Sequence, residues 1–136
     1  MKILQFCLPV LIVLMLITLP YMAASQAAGE AHVFQGFLLN PVDGNTYLAK
    51  MYQGWQGNWQ FRLPYSAEPG NGAYLFLFYL ALGRLARWLG LSLILVFHIA
   101  RLLASIFLWW TLWRFWQVLG FSGRWLFLVF CLSLLG

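Results

Sequence analysis

Three carboxylates, Glu30, Asp43 and Glu68, fall in one polar stretch of a 136-residue chain, and no acidic residue lies outside it. A carboxylate can serve as general base on an acceptor hydroxyl, or help hold a divalent cation beside phosphate oxygens. Asp43 is the sharpest candidate, because Asp43-Gly44-Asn45-Thr46 places it where a helix is about to start. The same tetrapeptide also reads as an Asx turn or a helix N-cap; the two readings are compatible, since a cap fixes the carboxylate in space. His98 and Arg101 stand three residues apart in an apolar run, hence on one helix face. Nothing pairs His98 with a nucleophile, so a packing histidine stays open beside an acid–base role. Arg101 lies about 18 Å along the helix from Trp113, where ionised burial in lipid costs at least roughly 2.5 kcal/mol. It must snorkel, pair with Asp43 or Glu68, or meet an anionic phosphate. The sequence has no phosphate-binding glycine loop, no His/Cys metal set and no serine-nucleophile elbow.

These groups must be positioned by elements that live in lipid. With 63% hydrophobic and 8% charged residues, the chain carries more apolar surface than a domain this small can bury, so membrane lipid is its first partner. The formal charge of +5 does not point to nucleic acid. The basic residues are scattered along apolar segments, without the clustered face that binding to phosphate backbones needs. Cys7 and Cys131 both fall inside hydrophobic runs, as small buried hydrophobes without disulfide or metal spacing.

The first run, Ile3 to Ala24, is long enough to cross a hydrocarbon core of roughly 30 Å. A secretory signal competes with an uncleaved anchor, because Lys2 is basic and Met22 to Ala27 offers small residues; the run exceeds the about 7 to 15 residues usual for such a signal. Pro9 and Pro20 are expected to kink or end it. From Ser25 to Gly72 the chain turns polar, with Asn40-Pro41, Asp43-Gly44, Gly54, Gly57, Glu68-Pro69-Gly70 and Asn71-Gly72 as turn signals. Lys2 places this loop outside, by the excess of basic residues on the cytoplasmic side. Leu48, Met51, Tyr52, Trp55 and Trp59 predict a short helix from Asp43 or Asn45, laying an aromatic face on the membrane with Lys50 and Gln53 toward water. The tract Tyr47, Tyr52, Trp55, Trp59, Phe61, Tyr65 and Tyr74 either sits at headgroup depth or forms a carbohydrate or polyprenyl platform; both stay open.

Ala73 to Gly83 reaches only about 16 Å before Arg84 and Arg87, so Tyr74 to Leu89 reads as an amphipathic helix on the outer surface. A tilted span with both arginines in the cytoplasm is the alternative, and each topology puts three basic residues inside. Leu91 to Trp113 is the second span, ending in a girdle of Trp109, Trp110, Trp113 and Trp116 beside Arg114. A third run from Trp125 to Leu135 is too short to cross. The expectation is an all-α chain of polytopic membrane helices with an external loop carrying surface helices, truncated as written. Its parts are a first transmembrane helix over 1–24, the loop over 25–90, a second transmembrane helix over 91–116, and a cytoplasmic turn with an incomplete third over 117–136.

One span, an outer loop with Asp43-Gly44-Asn45-Thr46-Tyr47-Leu48-Ala49-Lys50-Met51, a surface helix, then His98-Ile99-Ala100-Arg101 entering the next span: this order resembles the amino-terminal part of GT-C membrane glycosyltransferases, such as protein mannosyltransferases and the aminoarabinose transferase of lipid A. The resemblance implies a parent enzyme of the bacterial inner membrane that moves a sugar from a polyprenyl-phosphate donor at the external face. By position it implies Asp43 as the catalytic or metal-associated acid, a divalent metal ion being the cofactor in the second case, and Arg101 as a phosphate partner; His98 and Glu68 join Arg101 as candidate substrate-binding residues. Two departures matter. Several relatives place a second acid beside the first, where this chain has Val42 and Gly44. Their further donor-binding residues lie in later loops, so these 136 residues alone are expected to be inactive. A small structural or assembly protein of the membrane is the alternative, with Asp43 only a cap.

Overall fold

The computed structural model describes residues 2–28 and 34–134, and its elements are five helices: α1 (Lys2–Ala27), α2 (Pro41–Trp55), α3 (Leu77–Leu89), α4 (Leu93–Val118) and α5 (Gly123–Leu134). Among the described residues extended pairing is confined to one isolated bridge, Phe61 with Ala73, so the chain is all-helical as its apolar runs predict. Leu4–Ala27 and Leu93–Val118 are long and apolar enough to cross a membrane, with mean hydropathy 2.3 and 2.0. Only 11% of the apolar window of each is buried by the chain itself, unlike the core helix of a soluble protein, which is mostly covered. Helix α1 runs through both Pro9 and Pro20 to Ala27, so neither proline ends it. Helix α5 has 12 residues and reaches about 18 Å, short of a bilayer core.

The chain divides into two compact units, one of Met1–Ala23 with Arg101–Gly136, the other of Ala24–Ala100. In the first, Val10, Trp109, Trp113, Leu126 and Phe130 form a buried cluster. Phe6 meets Trp113 edge-on at 5.7 Å and Phe130 at 5.5 Å, and the Trp116 indole N–H donates to Ser133 Oγ at 2.9 Å. The expected tryptophan girdle is therefore divided: Trp109 and Trp113 are core, while Trp110 stays exposed. A helical wheel cannot distinguish a headgroup ring from one that a neighbouring helix covers.

The second unit is built on a hairpin of α2 and α3. Asn40, at φ 53°, turns the chain, and Pro41 opens α2 with its fixed φ and its missing donor at a position that needs none. Gly54, a turn signal in the sequence, instead lies inside α2, because its missing side chain admits the other backbone. A Cβ on Gly54 would overlap the carbonyl of Leu80, and one on Gly83 would overlap the carbonyl of Met51. Met51, Leu80 and Ala86 are fully buried where the two helices meet. Helix α3 starts at Leu77 rather than Tyr74 and spends its Leu80, Gly83 and Ala86 stripe on α2, leaving Phe78, Leu85 and Trp88 exposed. It ends at Gly90, φ 67°, where Leu91 N–H donates to Ala86 O at 3.0 Å in a left-handed cap.

The link between α2 and α3 is held in two places. Phe61 and Ala73 exchange backbone hydrogen bonds of 2.8 and 3.0 Å. Gln53 grips the backbone of Arg62 with both ends of its amide, donating to the carbonyl at 2.8 Å and accepting from the N–H at 2.9 Å. Gln53 is thus a clasp rather than a side chain facing water.

Candidate functional site

Asp43 stands exposed in the first turn of α2, where the unpaired N–H groups of a helix start favour negative charge. Its Oδ2 accepts a 2.6 Å hydrogen bond from the Asn40 amide. It is not the N-cap. Asn40 occupies that position and makes no side-chain cap bond, and α2 begins at Pro41, ahead of the expected Asp43 or Asn45. Proline at the first helical position moves the start back, which sets Asp43 on the third residue with its carboxylate turned toward Asn40. Thr46 donates back to the Val42 carbonyl at 3.0 Å, so the first turn is fixed on both sides.

Glu68 is exposed in the loop between α2 and α3, where Ser66 Oγ donates to its carbonyl at 3.0 Å and accepts from its N–H at 3.2 Å. Glu30 lies outside the described residues. His98, half-buried near the start of α4, has its Nε2 at 2.8 Å from the Gly36 carbonyl and packs beside Phe97 and Phe37. That anchors the ring to the segment leading into α2. Arg101 belongs to the other unit, with its guanidinium carbon 4.3 Å from the centre of the Tyr21 ring and its Nε buried without a hydrogen-bond partner. Asp43, Glu68 and His98 therefore share one unit, and Arg101 lies on the continuation of α4 in the other. Among the described residues no three His, Cys, Asp or Glu side chains converge as a ready metal site.

Two features escaped the sequence reading. Lys50, expected to face water, is one of the buried residues, at 8% exposure. Its ammonium sits 4.0 Å from the centre of the Phe76 ring, with Tyr47 at 5.3 Å and Tyr79 at 5.6 Å. Such ring faces attract cations through their quadrupoles. Tyr47 and Tyr79 stack at 5.1 Å with planes 6° apart, and burial, together with Tyr47, pushes the Tyr79 hydroxyl above its ordinary pKa. The aromatic tract is thereby split between inside and outside: Tyr47 and Phe61 pack within the unit, while Tyr52, Trp55, Trp59, Tyr65 and Tyr74 remain exposed.

The second feature is what the pair Arg84 and Arg87 of α3 does. Both reach the carboxyl end of α2. Arg84 donates through Nη2 to the Gly57 carbonyl and lies over Trp59 at 4.3 Å; Arg87 donates through Nη1 to the Trp55 carbonyl at 3.2 Å. With Gly54, Gly57 and Trp88 they line an open cleft of about 530 Å³.

No protein-family model, no curated protein and no solved structure matches the chain.

Proposed function

We propose that this chain is the amino-terminal module of an integral membrane glycosyltransferase that transfers a sugar from a polyprenyl-phosphate donor at the external face. Asp43 is its base or metal-associated acid. The observation that carries this reading is the state of Asp43: exposed, oriented by the Asn40 amide at 2.6 Å, at the start of a helix wedged against its neighbour. A carboxylate so held is aimed without being covered, which is what proton abstraction from an acceptor hydroxyl needs. The two long apolar helices support a setting where a lipid-borne donor is within reach. A divalent cation at Asp43 would take its remaining oxygens from water and donor phosphates, as magnesium does with one or two carboxylates. Arg101, His98 and Glu68 are the proposed substrate-binding groups.

The Asn40 contact also favours the second reading, a structural or assembly protein, because it fixes the start of α2 whatever happens outside. Asp43→Asn separates the two. The amide keeps an oxygen to accept from Asn40, so folding is retained, while the charge is lost. Expressed from the intact gene and assayed for sugar transfer from polyprenyl phosphate, the variant is expected to lose at least about a hundredfold in rate. Near-full activity with normal membrane abundance removes Asp43 from the chemistry.

A further inference from the structure

We infer that the cleft at Arg84 and Arg87 is a phosphate site for the headgroup of an anionic phospholipid, independently of any role for Asp43. The charge balance is the first argument. Two guanidiniums bring about two positive charges, and the carboxyl end of α2 offers a counter-charge of only about half a unit. Neither Asp43 nor Glu68, the acids among the described residues, forms an ion pair with them, so among the described residues the excess charge is left unneutralised.

Geometry is the second argument. Each arginine is pinned by one nitrogen to a carbonyl of the α2 terminus, which fixes its plane and leaves other donors of the fork available. The Nε of Arg84, a residue that lines the cleft, is buried and has no hydrogen-bond partner. Gly54 and Gly57 line the cleft beside the two guanidiniums. The lining supplies depth: Trp88 is 82% exposed, and indoles prefer the headgroup layer. Two guanidiniums beside an exposed indole match phosphoryl oxygens carried by a lipid.

The test uses the full chain purified in detergent and titrated with phosphatidylglycerol, phosphatidylcholine or inorganic phosphate, with bound lipid counted by native mass spectrometry. One phosphatidylglycerol is expected to bind in preference to phosphatidylcholine, and the Arg84→Gln/Arg87→Gln variant to bind it roughly 30-fold more weakly. An Arg114→Gln/Arg124→Gln control is expected to change nothing at this site. Equal binding of both lipids, or binding unmoved by the Arg84/Arg87 variant, overturns the site. Full competition by millimolar inorganic phosphate overturns the lipid as its source. Because both arginines also brace α2, a second measurement uses the wild-type chain: phosphatidylglycerol with a photoreactive headgroup is expected to crosslink within residues 54–59 or 84–88. Crosslinks found only elsewhere overturn the proposal even if the double variant fails to fold.

Discussion

Lys50 shows how a charge is accommodated by aromatic ring faces. Its ammonium is enclosed by Phe76, Tyr47 and Tyr79, each contact worth about 0.5 to 2 kcal/mol depending on desolvation. Lys50→Ala removes the cation and leaves a void, and is expected to cost about 2 kcal/mol; Lys50→Met fills the space and is expected to cost less than half of that. Thermal unfolding of the purified protein measures both. Tyr79 adds a pH dependence whose sign is fixed. Its folded pKa is raised, so its contribution is complete below the unfolded value of about 10 and is lost as pH rises through the folded one. Melting temperature is expected to fall above about pH 10, and less steeply in Tyr79→Phe; identical slopes for the two proteins overturn the assignment. Asp43 at a helix start was legible, since Asn-Pro and Asp-Gly are local signals. Burial of Lys50 was not, because its face of α2 looks solvent-facing until α3 covers it, and that pairing is set by residues some thirty positions on.

The α2–α3 hairpin is governed by two glycines rather than by its aromatic residues. Each lies against a carbonyl of the opposite helix, Gly54 against Leu80 and Gly83 against Met51, an arrangement that small residues permit. Gly83→Ala drives a methyl into that carbonyl and is expected to destabilise the unit by about 3 kcal/mol, at the upper end for overpacking, since backbone has to move. The same substitution at Gly90, which has nothing within 4 Å, meets strain from its positive φ and no clash. Denaturation of the two variants compares the mechanisms. Gln53 acts at the same scale: Gln53→Ala releases Arg62, and cleavage by trypsin after Arg62 is expected to quicken several-fold with the helices intact. The sequence predicts an amphipathic helix over Tyr74 to Leu89 on the outer surface; the structure forms α3 over Leu77–Leu89 and spends its Leu80, Gly83 and Ala86 stripe on α2. Periodicity reveals which face is apolar, while the neighbour that covers it depends on where the glycines of another helix fall.

For the molecule as a whole, the long apolar helices were the most legible feature, because length and hydropathy need no tertiary information. Their tryptophans were less so: Trp109 and Trp113 are drawn into a cluster with Phe6 and Phe130 that no periodicity could separate from a headgroup belt. The orientation predicted from Lys2 is a proposal at this scale. In a background with Cys7 and Cys131 replaced by alanine, Leu89→Cys is expected to react with an impermeant thiol reagent added outside intact cells; reaction only after permeabilisation favours the tilted-span topology. The nest around Lys50 has one more consequence. Among the described residues this cation is held by ring faces and not by a carboxylate, and its depth leaves little for added salt to screen. The cation's contribution to the hairpin is therefore expected to change little with added salt, where an exposed ion pair would weaken.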